Sequence, residues 1–399
     1  MAVQSTKLST IINRMKRLQS LSRAEDASLV RDLDEALRAN RREIQMPWVL
    51  QKGTLKVFKD VLEYPVPSDY DELAYLDDPR DEGLYGRRAR FRFTSLQQFY
   101  ENPDYRNDIA EIRDGNSIFL GVRYAPANLA SQVLNNADDS DDFTPSGDAT
   151  SVADETVVYK NGNGSTRVNI TNSSGTATIK NTFDSFTDAR YKRKYHFKWV
   201  YLDAVPTSIK LRFQVDDSNY LETTGITTQF SGQALKADAW NLIAHDLNTA
   251  TEVGTISTSS VWASEKVILV GASTGTYYID DSYLREWALM DFWYYSRYHV
   301  ALVASTTANQ EFFMDSDEVY STDSKLIGDL DYVDVIMFSA METALADLKE
   351  TEMLNFVRER RQIAWENLAM NYPSLRPLIT SLSYRFTTDF NEEDYYGSN

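Results

Sequence analysis

The chain of 399 residues has no cysteine and three histidines, His196, His245 and His299, so few of its side chains can act as a nucleophile or as a base near neutral pH. His245 is followed by Asp246, and a hydrolase can use such a pair as a base and the carboxylate that orients it. No nucleophile elbow, glycine-rich phosphate loop or His-x-x-x-His pair accompanies it. We therefore interpret each histidine as a half-exposed residue of a strand and expect no enzymatic activity.

An alternating run of aromatic residues is a candidate binding surface: Tyr195, Phe197, Trp199 and Tyr201. Side chains two residues apart on a strand share a face, and flat rings stack on sugars, which makes Tyr195, Trp199 and Tyr201 a candidate glycan platform. A similar alternation follows over residues 209–215. Because neighbouring strands with continuous apolar faces usually form a core, burial of these rings is the favoured alternative.

The composition limits the partners of the chain. Its formal net charge of −18 argues against a basic surface that coats DNA, although DNA can still pass such a protein without binding. The cluster Arg87-Arg88-Ala89-Arg90 is expected to pair with acidic surface or a neighbouring subunit rather than with phosphates. No apolar run approaches the ~20 residues that span a bilayer, and residues 1–17 lack the apolar core of a secretory signal, so we expect no membrane association.

Helical periodicity marks both ends of the chain. Apolar residues recur every three or four positions over residues 333–348 and 354–372, and Asp329 is placed to cap the first of these helices. The same spacing runs over residues 8–18 and 29–44. An amphipathic helix pair needs a surface on which to bury its stripe, so the pairs from the two chain ends are predicted to pack together as a small bundle.

Between the helix pairs the periodicity changes to two, which predicts strands. Residues 135–155 carry seven acidic residues and no Lys or Arg, which is typical of a solvated linker. Residues 157–287 contain about eight strand candidates and the hairpin-turn residues Asn161-Gly162-Asn163-Gly164, and they predict a jelly-roll β-sandwich. The expected fold is thus α+β and multidomain, with the sandwich inserted into a loop of a small β-domain that accompanies the bundle.

The order of these elements resembles the head-to-tail connector, or adaptor, proteins of tailed bacteriophages. The resemblance rests on the turn Tyr64-Pro65-Val66-Pro67-Ser68-Asp69-Tyr70, the short helix Ser95-Leu96-Gln97-Gln98-Phe99 and the two helix pairs, and it covers about residues 1–124 and 289–399. It implies a virion protein, made in the host cytoplasm, whose copies form a dodecameric ring between the portal protein and the tail or neck protein below. DNA would pass through the ring without sequence-specific binding.

The same resemblance implies that the C-terminal end is an extended tail that docks on the portal. The apolar anchors of this tail would be its aromatic residues, Tyr384, Phe386, Phe390, Tyr395 and Tyr396. The alternative is a frayed acidic terminus, because several Asp and Glu residues lie among these rings.

The inserted stretch, over about residues 176–287, resembles carbohydrate-binding-type β-sandwich modules. The resemblance is carried by Thr182-Phe183-Asp184-Ser185-Phe186, Trp240-Asn241-Leu242-Ile243 and Tyr278-Ile279-Asp280-Asp281. It implies a structural calcium near the first and last strands, with Asp184 and Asp281 as candidate ligands, although calcium takes roughly six to eight oxygens. We expect no other cofactor.

These patterns divide the chain into four parts. Residues 1–125 and 288–379 form the adaptor-like bundle and β-domain, 126–155 the acidic linker, 156–287 the sandwich and 380–399 the tail. The expected function is that of a ring-forming head-to-tail adaptor without catalytic activity. The alternative is a tail-associated protein that binds host or surface glycans through the sandwich.

Overall fold

Helices occupy the two ends of the chain and strands occupy the middle. The computed structural model describes residues 5–43, 46–59, 61–76, 97, 101, 110–111, 117–120, 131–173, 175–187, 194–301, 309–314, 321 and 323–372. Contacts group the chain into a helical unit, Met1–Gln51, Asp69–Ala74 and Trp293–Asn399, and a sandwich unit, Lys52–Ser68 and Tyr75–Phe292.

The helical unit is built on four α-helices within the described ranges. They are α1 Leu8–Met15, α2 Asp26–Glu43, α3 Leu330–Asp347 and α4 Thr351–Asn371. Their apolar stripes share one buried core that includes Leu33, Leu345 and Trp365. Each buried apolar side chain contributes roughly 1.5–3 kcal/mol, far more than helix propensity does. The two chain ends therefore pack together as a bundle, as the periodicity predicted.

Polar contacts fix the ends and pairing of these helices. The Asp329 carboxylate accepts the Asp331 backbone N–H at 2.9 Å and caps α3, as predicted. Lys349 adopts a φ of +58° in the tight turn between α3 and α4. Across that pair, Arg358 donates to Glu342 at 2.7 Å. These contacts set the antiparallel register of the C-terminal helices.

Twenty strands are found in the described ranges, and most belong to the sandwich unit. In chain order they are β1 Ser5–Lys7, β2 Leu50–Phe58, β3 Glu63–Pro65, β4 Tyr70–Leu76, β5 Ala110–Glu111, β6 Ser117–Phe119, β7 Ser131–Asn135, β8 Phe143–Gly147, β9 Ala149–Glu155, β10 Ser165–Ile170, β11 Thr176–Thr187, β12 Lys194–Leu202, β13 Ser208–Gln214, β14 Tyr220–Glu222, β15 Ala239–Asp246, β16 Thr251–Val253, β17 Val261–Val270, β18 Gly275–Ser296, β19 Val300–Ala301 and β20 Lys325–Ile327.

Two larger sheets face each other across an apolar core, which makes the predicted β-sandwich. The first sheet has the order β15-β12-β18-β10-β9, and β2, β4 and β7 also pair with β18. The second has the order β16-β14-β13-β17-β11-β8. Val200 and Ile279 from the first sheet meet Ile209 and Val267 from the second in one buried cluster. Two small sheets, β1-β20-β19 and β3-β6-β5, complete the strand pairing.

The predicted acidic linker, residues 126–155, is wrong, because β7, β8 and β9 lie within it and pair in the sandwich. Most of its carboxylates occupy turns and partly or fully exposed positions, and Asp148 is the buried exception at 7% exposure. Asp139 accepts the Asp141 backbone N–H at 2.8 Å, and Asp154 accepts that of Ser140 at 2.8 Å. Acidity here reflects turn chemistry and solvated strand faces, which are compatible with a sheet.

The first β-rich segment was predicted to accompany the bundle, but Lys52–Ser68 belongs to the sandwich unit. The Phe58 ring packs against the rings of Phe197 and Phe230, with centroids 5.0 and 5.7 Å away. Lys56 Nζ also donates to the Tyr195 hydroxyl at 3.0 Å. These contacts commit β2 to the sandwich.

Several predicted features lie outside the described residues. They are the arginine cluster at 87–90, most of the short helix at 95–99, and the tail at 380–399. Among the helices described, none has the length and apolar character needed to cross a membrane.

Candidate ligand-binding cleft

A cleft of about 590 Å³ lies on the face of the first sheet that points away from the sandwich core. Its floor includes Trp199 of β12, Leu242 of β15, and Tyr283 and Arg285 of β18, and Phe230 contributes a wall from a loop. This volume falls in the range of roughly 300–1,000 Å³ that is usual for small-ligand sites, which combine aromatic walls with a few polar groups.

An irregularity in β18 shapes this floor. The pairing of β12 with β18 slips by one residue, so that Lys198 faces Ser282 while Trp199 faces Asp280. Asp281 is the extra residue and adopts a φ of +33°. A bulge of this kind redirects the following side chains to the opposite face. As a result Tyr283 and Arg285 share the face of Trp199.

The same bulge anchors the turn between β9 and β10 beside Trp199. Asp280 Oδ2 accepts the backbone N–H groups of Lys160 at 2.6 Å and Asn161 at 3.0 Å. The Asp281 carboxylate accepts the side-chain amide of Asn161. Burial raises the pKa of Asp280, and the charge of Asp281 adds to this, although the bonds from the turn oppose it. The turn is thus held by two adjacent carboxylates.

Positive charge is concentrated at the cleft. The exposed Lys59 and Lys160 line it together with Arg285. Lys160 Nζ lies 4.6 Å from the centre of the Trp199 ring, and the Arg285 guanidinium lies 4.3 Å from that of Tyr283. Both are cation–π distances. Among the lining residues that the structure describes, three are cationic and one, Glu63, is acidic, although the formal charge of the chain is −18.

The carboxylate that lines the cleft accepts hydrogen bonds from uncharged donors. Glu63 lines the cleft, and its Oε1 accepts the Ser117 hydroxyl at 2.8 Å and the Gln233 amide at 2.9 Å. Burial, followed by the hydrogen bond to Asp281, raises the pKa of Tyr283, so its phenol stays protonated. The cleft therefore presents cations and hydroxyl groups rather than free carboxylates.

The three residues predicted as a glycan platform do not form one surface. Of these, Trp199 lines the cleft. The Tyr195 ring lies under Phe58 at 4.9 Å, and Tyr201 packs between Trp240 and Tyr278. The strand therefore divides its rings among three environments.

The favoured alternative, that these rings form the sandwich core, is also wrong for Tyr195, Trp199 and Tyr201, which are half-buried. The core takes the opposite set of β12 side chains, including Val200 and Leu202.

Sequence reasoning missed most of the cleft. Tyr283 and Arg285 are out of phase with Tyr278 and Asp280 along β18, so simple alternation places the two pairs on different faces. Phe230 lies in a loop, where periodicity gives no information. The adjacent carboxylates of Asp280-Asp281 in an aromatic strand were the signal that could have revealed the bulge.

The histidines are buried rather than half-exposed, with relative exposures of 0–1%. His245 and Asp246 are neighbours on β15, so their side chains point to opposite faces, and Asp246 accepts Lys56 Nζ at 3.0 Å. Burial, and then the nearby His196, lowers the pKa of His245 well below its usual value. No base–orienter pair is formed.

A buried ion cluster lies between the two sheets. The Glu265 carboxylate accepts Lys198 Nζ at 2.8 Å, the Asn181 amide at 2.8 Å and the Ser282 hydroxyl at 2.6 Å, and it also contacts the His196 ring. Burial alone would raise the pKa of Glu265, but the charges of Lys198 and His196 and their hydrogen bonds lower it overall. With Lys198 and Glu265 at 0% exposure, no substrate can reach the cluster, so its role is structural.

One segment has the Gly-x-Ser-x-Gly pattern of a hydrolase nucleophile motif, Gly271-Ala272-Ser273-Thr274-Gly275. The segment links β17 to β18 and so joins two strands, whereas a nucleophile elbow joins a strand to a helix. The Ser273 carbonyl accepts the Tyr277 hydroxyl at 3.1 Å. This match is a loop that connects a strand of one sheet to a strand of the other.

The calcium candidates lie on strands of different sheets. Asp184 is exposed on β11, while Asp281 is 4% exposed on β18 and is bound to Asn161. Within the described ranges, no group of three or more His, Asp or Glu side chains is placed to hold a metal ion. Asp184 and Asp281 are therefore not joined by a further His, Asp or Glu side chain in a calcium-binding group among the described residues.

Comparisons with known proteins find partial similarities of shape. No family model matches the sequence, and no curated protein matches it. A family 11 carbohydrate-binding module from Clostridium thermocellum, in complex with a β-1,3-1,4-mixed-linked tetrasaccharide, matches 40% of this chain and 96% of its own, at 12% identity and a TM-score of 0.30. A family 30 module of a C. thermocellum cellulosomal cellulase matches 39% of this chain and 97% of its own, at 14% identity and a TM-score of 0.30.

A phage protein is also among the similar structures. The enzymatically active domain of tailspike protein 4 from bacteriophage CBA120 matches 38% of this chain and 20% of its own, at 15% identity and a TM-score of 0.26. At these identities and scores, the matches describe shape and carry nothing about ligand or partner.

Proposed function

We propose that this chain is a structural protein of a tailed-phage particle, a head-to-tail adaptor whose copies join into a ring between the portal and the tail or neck protein. The observation that carries the proposal is the packing of both chain ends into one helical unit, with the sandwich lying between them in sequence. This is the arrangement that the adaptor resemblance implies. The proposed role is assembly rather than catalysis, with DNA passing through the ring.

The turn that carries the resemblance supports this proposal through its contacts. Asp69 accepts the Tyr294 hydroxyl at 3.0 Å and the Ser296 hydroxyl at 2.8 Å. The Tyr70 carbonyl accepts the Arg297 guanidinium at 2.7 Å. Asp69 and Tyr70 thus dock the turn onto the strand that returns towards the C-terminal helices. Asp69 therefore contributes to the motif as a hydrogen-bond acceptor that fixes the position of the turn.

An exposed apolar stripe lies along α4. Phe356, Ile363 and Met370 recur every seven residues, and their relative exposures are 43%, 41% and 66%. A repeat of seven places them on one side of the helix, in the pattern by which helices pack on each other. We assign this stripe to a second copy of the chain, because ring closure requires each subunit to present a face to its neighbour.

Negative-stain images and native mass of the purified chain test the ring. We expect closed rings, and we expect Phe356→Ser combined with Ile363→Ser to dissociate them. Glu359→Ser, on an exposed polar position of the same helix, is the matched control and should leave them intact. Rings that survive the double change would assign the stripe to another occupant, such as the C-terminal tail. A chain that stays monomeric even with portal protein would overturn the adaptor proposal.

The proposed portal contact is the tail, with Tyr384, Phe386, Phe390, Tyr395 and Tyr396 as anchors. Deleting residues 380–399 should abolish co-sedimentation with the portal and leave rings and the far-ultraviolet circular dichroism spectrum unchanged. Unchanged portal binding would remove the tail from the mechanism.

Glycan binding through the sandwich is a second candidate function, favoured by the cleft around Trp199. An aromatic ring on the floor, a second ring in Tyr283 and the Lys160 ammonium from the neighbouring turn suit a sugar chain. Trp199→Ala should abolish retention on the glycans that the wild-type protein binds. Trp240→Ala, on the same sheet face but outside the cleft, should retain binding. Equal loss in both variants would contradict this assignment.

A further inference from the structure

The charge of the cleft selects among sugar ligands. Among the described residues that line it, Lys59, Lys160 and Arg285 add positive potential at one surface of a protein that is otherwise strongly acidic. The carboxylates of Asp280 and Asp281 beside it accept hydrogen bonds from the turn that carries Lys160. The lining carboxylate, Glu63, already accepts two hydrogen bonds from Ser117 and Gln233. A low-dielectric wall focuses such a local field. An anionic ligand is therefore attracted to this surface, although the net charge of the chain repels it elsewhere.

The position of Lys160 strengthens the argument. Its ammonium lies over the Trp199 ring, and its backbone is fixed to Asp280, so the ammonium is held near the floor of the cleft. A neutral sugar that stacks on this face must displace the ammonium and gives it no new partner. A sugar that carries a carboxylate or sulfate offers the displaced ammonium a charge-assisted hydrogen bond. Stacking and ion pairing then occur together.

We propose that the cleft binds an acidic polysaccharide, with Trp199 stacking on a sugar ring and the exposed Lys59 and Lys160 binding its anionic groups. This inference rests on the proposed glycan-binding function and specifies its ligand class. The Ser131 and Ser231 hydroxyl groups of the cleft are donors suited to the same anions. A carboxylated and a sulfated polymer share this chemistry, and the experiment separates them.

The test is affinity electrophoresis and calorimetry of the full chain on matched polymers. The probes are polygalacturonate and its carboxyl-reduced neutral form, and dextran sulfate and dextran. We expect polygalacturonate to bind, with an affinity that falls as salt rises, and its reduced form to bind at least about 10-fold more weakly. Preferential binding to dextran sulfate over polygalacturonate would support an anionic ligand and would identify it as a sulfated polysaccharide.

Charge variants locate the binding. Lys59→Gln with Lys160→Gln should weaken polygalacturonate binding at least about 10-fold, because two charge-assisted contacts are lost. Lys236→Gln, the control for each single change, removes one positive charge from an exposed sandwich position outside the cleft and should have no effect. An equal loss in Lys236→Gln would mean that bulk charge governs binding, which overturns the site.

The failure of this inference is distinguishable from the failure of glycan binding. Equal or tighter binding to the neutral polymers would contradict the proposal that the ligand is acidic, while the cleft would still be a glycan-binding site. A failure to bind any of the four polymers or any glycan on an array would overturn both.

Discussion

The core of the helical unit and the core of the sandwich unit differ in what they bury. The bundle fills its interior mainly with apolar side chains, and its buried carboxylates Asp32 and Asp34 keep 8% and 6% exposure. The sandwich encloses Lys198 and Glu265 at 0% exposure. An apolar core gains stability from each group that it removes from water, whereas a buried ion pair has to compensate a desolvation cost of several kcal/mol per ion. The two units should therefore respond differently to mutation.

Removing one partner of the buried ion pair should have the largest effect. Lys198→Met leaves Glu265 buried without its main countercharge, so we expect the sandwich to lose about 3–5 kcal/mol in urea unfolding. The double change Lys198→Met with Glu265→Leu removes both charges and should recover most of that loss. Lys210→Met, which breaks the half-exposed pair with Glu222, is the control and should cost less than about 1 kcal/mol. A single variant as stable as this control would contradict the comparison.

Shortening an apolar side chain should produce a graded loss in the helical unit. Leu345→Ala empties part of a fully buried position on α3 and should cost about 2–5 kcal/mol through lost burial and a cavity. Leu348→Ala, three residues later and 52% exposed, is the matched control. Hydrogen exchange of the two helix pairs would show the loss. Equal effects of the two variants would mean that α3 does not pack as described.

The buried histidine of the helical unit should make its stability depend on pH. Burial, and then the charge of Arg41, lowers the pKa of His299 to about 4. A lowered histidine pKa favours the neutral form, so its contribution is complete above the unfolded value of about 6.5 and is lost as the pH falls towards 4. The loss should reach about 3 kcal/mol. His299→Leu should flatten this dependence, and an unchanged slope would exclude His299 as its source.

The cap of α3 should have a smaller effect. Asp329→Ala leaves a free N–H group at the helix start and should cost about 1 kcal/mol in the helical unit, measured by urea unfolding. Asp329→Asn keeps a capping oxygen, so its cost in unfolding free energy should be only a few tenths of a kcal/mol. If both cost the same, the carboxylate acts through its charge and not as a cap.

The difference between the units also explains what the sequence could predict. The bundle follows from spacing alone, because the residues that share a helix face are three or four apart, and Asp329 stands directly before its helix. The ion cluster joins residues from strands far apart in the chain, Lys198, Glu265 and Ser282, which no local pattern connects.

The cleft escaped prediction for a related reason. A one-residue bulge at Asp281 reverses the facing of the side chains that follow it on β18, so strict alternation would place Tyr283 and Arg285 on the opposite face from Trp199. The acidic stretch at residues 126–155 was predicted to be a linker for another reason. An acidic, polar composition is typical of turns and of solvent-facing sides of strands as well as of linkers, so composition alone does not distinguish them.

Electron micrographs of the purified full chain, alone and with portal protein, test the central claim most directly. The account predicts closed rings that bind the portal and that lose this binding when residues 380–399 are deleted. A monomer that never associates with the portal would contradict it.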